Sequence, residues 1–215
     1  MAKITVRIEH DQDCENPMTS CDGQWTLYSF GRRHINYKDP ERLGLSDTLG
    51  RDGWPVVRNP GLRRKLAVGL AWFVSYYEHS QSVWFLPGEG PSCPWDSVKC
   101  AGLLVWENKP GDMGAKTRQD RAQDARSFLE EYTAWCNGEC YYFIVEDEEG
   151  NTLDSCGGFI GSRGTCQYML EQIRDGLPAG AEVEVEGDAA YLADRFCWDA
   201  SPAEVEAKRL LSVEL

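Results

Sequence analysis

Residues 140–161, CYYFIVEDEEGNTLDSCGGFIG, decide the fold class of this chain. The stretches CYYFIVE and TLDSCGGFIG are typical of β-strands, and the acidic segment between them contains a glycine. Gly150 stands where such a turn needs a positive φ. The pattern therefore predicts a β-hairpin, and with it antiparallel strand pairing.

Helices and strands are predicted on both sides of this hairpin. Thr117 and Asp120 form a capping-box pattern at the start of a helix that runs to Cys136, where Asn137-Gly138 supplies a stop. Further along the chain, the patterns predict a helix at 165–175, a strand at 181–187, a short helix at 189–196 and a last helix at 201–211. Because these elements do not follow a regular βαβ rhythm, we expect an α+β fold, a mostly antiparallel sheet with flanking helices.

The N-terminal half has a less regular pattern. Residues 61–79, GLRRKLAVGLAWFVSYYEH, give its strongest helix signal, and residues 38–60 predict a long loop because of their proline and glycine turns. The apolar residues that follow one helical face are Leu62, Leu66, Leu70, Phe73 and Tyr77. Strands are predicted at 3–9, 25–30, 82–87 and 101–107.

The net charge of −13 is concentrated at one end of the sequence. Residues 1–127 contain 16 acids and 17 bases, whereas residues 128–215 contain 19 acids and 5 bases. We therefore divide the chain into a neutral, tryptophan-rich α+β region at 1–127 and a strongly acidic α+β region at 128–215, with one continuous domain as the alternative.

Composition excludes several classes of partner. A chain this acidic does not neutralise phosphates, so we expect neither direct nucleic-acid binding nor docking on anionic membranes. The first ten residues lack the apolar core of a signal peptide. The odd number of cysteines, nine, favours reduced thiols and a cytoplasmic protein.

The sequence predicts no catalytic, cofactor or metal site. The cysteine spacings do not match paired zinc knuckles, and only Cys136 and Cys140 come close to one. The glycine-rich run at 157–164 lacks the lysine of a P-loop. Cys156, which precedes Gly157-Gly158, is the best candidate nucleophile. A small enzyme that uses a reactive thiol or a metal around Cys156 is the first alternative to a binding function.

A row of carboxylates is the strongest candidate for a binding surface. In the predicted strand AEVEVEG the acids alternate with valines, so neighbouring carboxylates lie ~6.7 Å apart, about twice the ~3.4 Å phosphate spacing of one DNA strand. Two tryptophans among turn residues, which we expect to be partly exposed, are candidate anchors beside such a surface. The predicted partner-binding residues are Glu146, Asp147, Glu148, Glu149, Glu182, Glu184, Glu186, Asp188, Trp54 and Trp95.

Three short runs between residues 103 and 161 resemble uncharacterised proteins of tailed bacteriophages and of mobile elements in their hosts. They are Gly114-Ala115-Lys116-Thr117, the run from Thr133 to Glu139 (TAWCNGE), and the run from Leu153 to Phe159 (LDSCGGF). This chain has Gly-Glu-Cys-Tyr-Tyr at 138–142, where those proteins tend to have Gly-Glu-Val-Tyr-Gly. The resemblance implies a phage context and transfers no catalytic residue.

A small acidic phage-type protein without an active-site signature suggests counter-defence by binding. We expect a monomeric or dimeric inhibitor of the anti-CRISPR or anti-restriction type in the host bacterial cytoplasm. Its acidic C-terminal region would imitate DNA and occupy the basic nucleic-acid-binding groove of a host protein. A phage structural or regulatory module that oligomerises through its tryptophan-rich half is the second alternative.

Overall fold

A computed structural model describes residues 2–19, 25–51, 53–161, 163–194, 196 and 198. The chain forms two compact units: Glu15–Asn137 is the neutral unit, and Met1–Cys14 together with Gly138–Leu215 is the acidic unit. The acidic unit has 20 acids and 7 bases, while the neutral unit has 15 of each. The charge boundary drawn at 127/128 lies inside the helix Arg118–Cys136, and the N-terminal strand belongs to the acidic unit.

The acidic unit is one four-stranded sheet with a helix on one face. Its sheet order is β10-β1-β8-β9, in which β1 pairs in parallel with β10 and the other pairs are antiparallel. The elements are β1 (Lys3–His10), β8 (Cys140–Asp147), β9 (Thr152–Ile160), α3 (Arg163–Gly176), β10 (Glu182–Glu186) and a 3-10 turn at Ala190–Ala193. The predicted hairpin is therefore β8–β9.

Alternation along β1 and β8 produces the core of this unit. Ile4, Val6 and Ile8 are buried on one face of the sheet, where they join Phe143 and Val145. Helix α3 covers that face with a second set of buried side chains: Cys166, Met169, Leu170 and Ile173. The opposite face, which carries the polar residues of each strand, is left partly accessible.

The neutral unit is built on a second four-stranded sheet, with order β2-β7-β5-β6, and an additional two-stranded sheet of β3 and β4. Its strands are β2 (Trp25–Ser29), β3 (Leu45–Leu49), β4 (Pro55–Val57), β5 (Ala71–His79), β6 (Gln81–Phe85) and β7 (Ser97–Trp106). Its helices are α1 (Pro60–Val68) and α2 (Arg118–Cys136), with a 3-10 turn at Pro40–Leu43. These elements confirm the predicted α+β class.

Two apolar layers stabilise the neutral unit. Helix α2 places an apolar stripe, including Ala125, Leu129 and Tyr132, in a core with Leu27 and Leu104. A smaller cluster around Leu45, Leu62 and Leu103 packs β3 and α1 against other side chains of the unit. The capping box of Thr117 and Asp120 at the start of α2 is present as predicted.

The prediction of one helix over residues 61–79 is wrong in its second half. Helix α1 ends at Val68, Gly69 adopts φ +80° as its cap, and residues 71–79 form the central strand β5. Leu70, Phe73 and Tyr77 do fit a helical period, but the run AWFVSYY also has strong β propensity. Pairing with β6 and β7 on both sides decides in favour of the strand.

Three further predictions differ from the structure or lie outside it. The predicted loop at 38–60 contains a 3-10 turn and the β3–β4 pair, because short elements between turn residues leave little periodic signal. The short helix predicted at 189–196 is a 3-10 turn of four residues. The last helix, predicted at 201–211, lies outside the described residues.

No helix in the described ranges is long and apolar enough to cross a membrane.

Candidate functional site

The predicted carboxylate row lies on β10, an edge strand of the acidic unit. Glu182, Glu184 and Glu186 are exposed, while Val183 and Val185 pack toward the core, as the alternation predicts. Parallel pairing aligns this row with Lys3, Thr5 and Arg7 on β1. Because β1 also pairs with β8, polar side chains of three adjacent strands share the sheet face opposite α3.

Cations from the N-terminus interrupt the carboxylates on this face. The Lys3 ammonium lies 2.8 Å from a Glu184 carboxylate oxygen. Arg7 bridges two strands, with Nε 3.1 Å from Glu186 and Nη2 2.9 Å from Glu146. Lys3 lowers the pKa of the Glu184 carboxyl through its hydrogen bond and charge. The face is therefore a ladder of ion pairs with an excess of carboxylates.

The tip of the β8–β9 hairpin has a division of roles that the sequence did not show. The Asp147 carboxylate accepts hydrogen bonds from the Glu149 and Asn151 backbone N–H groups and from the Asn151 side chain, which lowers its pKa. Asp147 thus holds the turn in shape. Glu148 and Glu149 are exposed beside it and carry the accessible charge.

Asp188 has a structural partner as well. Its carboxylate accepts the His10 backbone N–H at 2.9 Å and lies 3.1 Å from Nδ1 of the same residue, and these contacts lower the Asp188 pKa. Close packing fixes this corner, because a Cβ added at Gly187 would lie 2.2 Å from the Ile8 carbonyl oxygen. Asp188 therefore fastens the end of β10 to β1.

The two predicted tryptophan anchors lie in the neutral unit and differ from each other. Trp95 is 92% exposed in the loop before β7. Trp54 stacks on Phe73, with ring centroids 5.3 Å apart and planes at 15°. Of the two, Trp95 has the exposure that a rim contact requires, whereas Trp54 belongs to the wall of a cavity.

The thiols do not form a site that the structure describes. Cys156 is exposed on β9, and its hydrogen-bond contact is with the neighbouring Gly157 carbonyl at 3.8 Å. Burial raises the pKa of Cys100 to about 11 and that of Cys140 to about 12, so both remain protonated at neutral pH. Among the described residues, no three His, Cys, Asp or Glu side chains are placed to hold a metal ion.

A buried serine–histidine contact in the neutral unit was missed by sequence reasoning. Ser29 Oγ lies 2.5 Å from His34 Nδ1 and also accepts the Gly31 N–H at 3.0 Å. The imidazole packs edge-on against Tyr76 and Trp84. These contacts hold a tight loop together. Since Ser29 has no exposed surface, its hydroxyl is not accessible to a substrate.

A large cavity in the neutral unit was also missed. It has a volume of about 970 Å³ and is lined by apolar side chains with several arginines among them. In the sequence, the basic triplet Arg63-Arg64-Lys65 of α1 is a partial indication of this cavity. Arg63 lines the cavity, Arg64 is exposed, and Lys65 donates to the Trp106 carbonyl at 2.6 Å.

Comparisons with protein-family models, curated proteins and solved structures found no match to this chain.

Proposed function

We propose that this protein acts by binding, as an inhibitor of a nucleic-acid-handling defence protein of the anti-CRISPR or anti-restriction type. The acidic unit occupies the basic groove in which the partner holds DNA or RNA. The observation that carries the proposal is the partly accessible sheet face, where carboxylates from β10, β1 and β8 lie side by side on a unit with 20 acids and 7 bases.

The ion pairs on this face support recognition by shape as well as by charge. Lys3 and Arg7 on β1 pair with the Glu146 carboxylate of β8 and with the Glu184 and Glu186 carboxylates of β10, which restrains these side chains. A preformed surface loses less conformational entropy on binding than a set of free side chains does. The remaining excess of negative charge attracts a basic groove over long range and speeds association.

The test titrates the protein into DNA-cleavage reactions of a CRISPR effector–guide complex and of a restriction endonuclease. DNA binding by each enzyme is measured in parallel at low and high salt. We expect competitive loss of DNA binding that weakens as salt rises, because both surfaces are charged. Unchanged cleavage by both enzyme classes at stoichiometric excess of the protein overturns the proposal.

The variant for this test neutralises acids that have no ion-pair partner among the described residues. Glu148, Glu149 and Glu182 meet this condition. Replacing all three by Gln should raise the inhibitory concentration by about tenfold. Lysine substitutions at Glu184 or Glu186 are avoided, since they would face Lys3 or Arg7 with like charge.

A matched control removes the same charge from the neutral unit. Glu41, Asp47 and Glu130 are exposed there, and the triple variant Glu41→Gln, Asp47→Asn, Glu130→Gln should inhibit as the wild type does. Equal losses in the two triple variants would mean that the partner responds to the net charge of the protein and not to the acidic unit.

A further inference from the structure

We infer that the cavity of the neutral unit binds a nucleotide, an aromatic base that carries a phosphate. This site is separate from the acidic face and does not depend on the proposed function. The inference rests on the chemistry of the walls, the charge inside them and the elements that build them.

Five segments of the neutral unit meet around the cavity. The loop before β4 contributes Arg51 and Trp54, α1 contributes Arg63, the start of β5 contributes Trp72 and Phe73, the segment after β6 contributes Glu89, and the first half of α2 contributes Arg118 and Arg126. Leu66, Leu86 and Ala122 supply aliphatic surface between them. A volume of about 970 Å³ is large enough for a drug-sized ligand.

The charged lining is strongly unbalanced for a unit that is neutral as a whole. Among the described residues that line the cavity, four are arginines and one is a glutamate. Glu89 is already satisfied, since both its oxygens lie 2.7 Å from nitrogens of Arg126. Arg51, Arg63 and Arg118 are not within ion-pair distance of any carboxylate in the part of the chain that the structure describes.

The positions of two of these arginines are fixed by neighbours that do not neutralise them. Arg63 donates from Nη2 to the Val57 carbonyl at 2.8 Å. Arg118 lies with its guanidinium carbon 4.2 Å from the Trp72 ring centroid, a cation–π arrangement. Both keep further N–H donors, and a planar fork of donors matches phosphate geometry.

The aromatic walls specify the other part of the ligand. Trp54 and Phe73, which come from two elements that are distant in sequence, stack on each other and add aromatic surface to the cavity wall. A nucleobase that extends such a stack gains about 1–3 kcal/mol. A small inorganic anion would use the arginines and leave this surface unused, whereas a nucleotide uses both.

The binding test uses isothermal titration calorimetry and tryptophan fluorescence on the full chain at low salt. The probes are AMP, GMP, adenosine, inorganic phosphate and a short oligothymidylate with a 5′-phosphate. We expect a nucleotide to bind with a dissociation constant below about 1 mM, and adenosine or phosphate alone to bind at least about tenfold more weakly. Tighter binding of the oligothymidylate would identify a strand end as the source of the nucleotide, and tighter binding of AMP or GMP a free one.

Paired variants locate the site. Arg118→Lys, which keeps the charge but removes the planar fork, and Trp54→Ala should each weaken binding by about tenfold. Arg64→Ala and Trp95→Ala are the matched controls, because both side chains are exposed outside the cavity, and they should change affinity by less than about twofold. Thermal melts establish that each variant is folded.

Two results overturn the inference. Absence of heat and of fluorescence change with every nucleotide and with the oligonucleotide excludes a nucleotide site. Equal affinity for inorganic phosphate and AMP, unaffected by Trp54→Ala, reduces the cavity to a simple anion site.

Discussion

Helix α2 protects the edge strand β6 through two side chains, and their removal should have a measurable cost. The Asn137 amide accepts from the Ser82 backbone N–H at 2.8 Å and donates to the Ser82 carbonyl at 2.9 Å. Thr133 Oγ1 accepts from the Trp84 N–H at 2.9 Å. Thr133 and Asn137 are four residues apart, which is a rise of ~6 Å along a helix. Ser82 and Trp84 are two residues apart, which is a rise of ~6.7 Å along a strand. The two side chains therefore reach two successive outward-facing N–H groups of β6.

The change Thr133→Val keeps the side-chain volume but leaves the N–H of Trp84, a residue only 4% exposed, without its acceptor. An unsatisfied buried donor costs about 1–3 kcal/mol, and we expect a loss of this size in the free energy of unfolding of the neutral unit. Urea denaturation followed by tryptophan fluorescence measures it, as a lower midpoint with an unchanged m-value. Amide hydrogen exchange should quicken at Trp84 before it does elsewhere in the sheet.

Two further variants separate the hydrogen bond from other effects. Thr133→Ser retains the acceptor and should lose less than half as much stability as Thr133→Val. Asn137→Ala should speed exchange at Ser82 in the same way, because it removes two contacts with that residue. If Thr133→Val unfolds at the wild-type urea concentration and leaves the Trp84 amide protected, the edge-protection argument is wrong.

Three other predictions concern the acidic unit. Phe143→Ala should cost about 3–5 kcal/mol in urea unfolding, because Phe143 is 1% exposed in the core beside Phe159; a loss below about 1 kcal/mol would contradict this packing. The hydrogen bonds that lower the pKa of Asp147 stabilise the fold above the ordinary Asp pKa of about 3.9, and this contribution is lost as the pH falls through the lower folded value. Asp147→Asn should therefore flatten the dependence of melting temperature on pH below about 4, and an unchanged slope would exclude the linkage. Iodoacetamide should label exposed Cys156 faster than buried Cys140 in native protein, with the difference abolished by denaturant. Complete and selective labelling of Cys156 by one equivalent of reagent would instead favour the thiol-enzyme alternative.

Local signals predicted the elements whose own residues determine them. The β8–β9 hairpin and helix α2 carry both their periodicity and their turn or cap residues within a short stretch, and both form as expected. Residues 71–79 fit a helical period but also have strong β propensity, so their structure depends on strands that lie elsewhere in the sequence. Gly69 is the local sequence signal for the end of α1, because glycine adopts the φ of +80° of this cap without strain.

The candidate site likewise has one part that the local sequence predicts and another that depends on distant residues. Alternation alone places Glu182, Glu184 and Glu186 on one exposed face, because the side-chain period of a strand is two. The sequence does not reveal that Lys3 and Arg7, almost the whole chain away, pair with this row. Residues 3–10 are far from residues 182–186 in the sequence, but β1–β10 pairing places both in the acidic unit. The division by charge at 127/128 therefore assigns the N-terminal strand to the neutral region.

The cavity was hidden from sequence reasoning because its arginines are dispersed over three segments. Arg51, Arg63, Arg118 and Arg126 are separated by at least eight residues and form no cluster along the chain. The visible cluster, Arg63-Arg64-Lys65, is split by the fold so that one member reaches the cavity. A balanced count of acids and bases in a unit therefore says little about the charge of any one surface on it.

The two proposals must be separated by variants and not by salt. Added salt weakens a carboxylate face that binds a basic protein, and it equally weakens an arginine cavity that binds a phosphate. Charge substitutions act in opposite directions, since neutralising Glu148, Glu149 and Glu182 removes attraction for a basic groove while leaving the cavity arginines unchanged. Arg118→Lys weakens nucleotide binding in the cavity and leaves the carboxylates of the acidic unit unchanged. Loss of enzyme inhibition in the first set with retained nucleotide binding, and the converse in the second, would assign the two activities to different units of the chain.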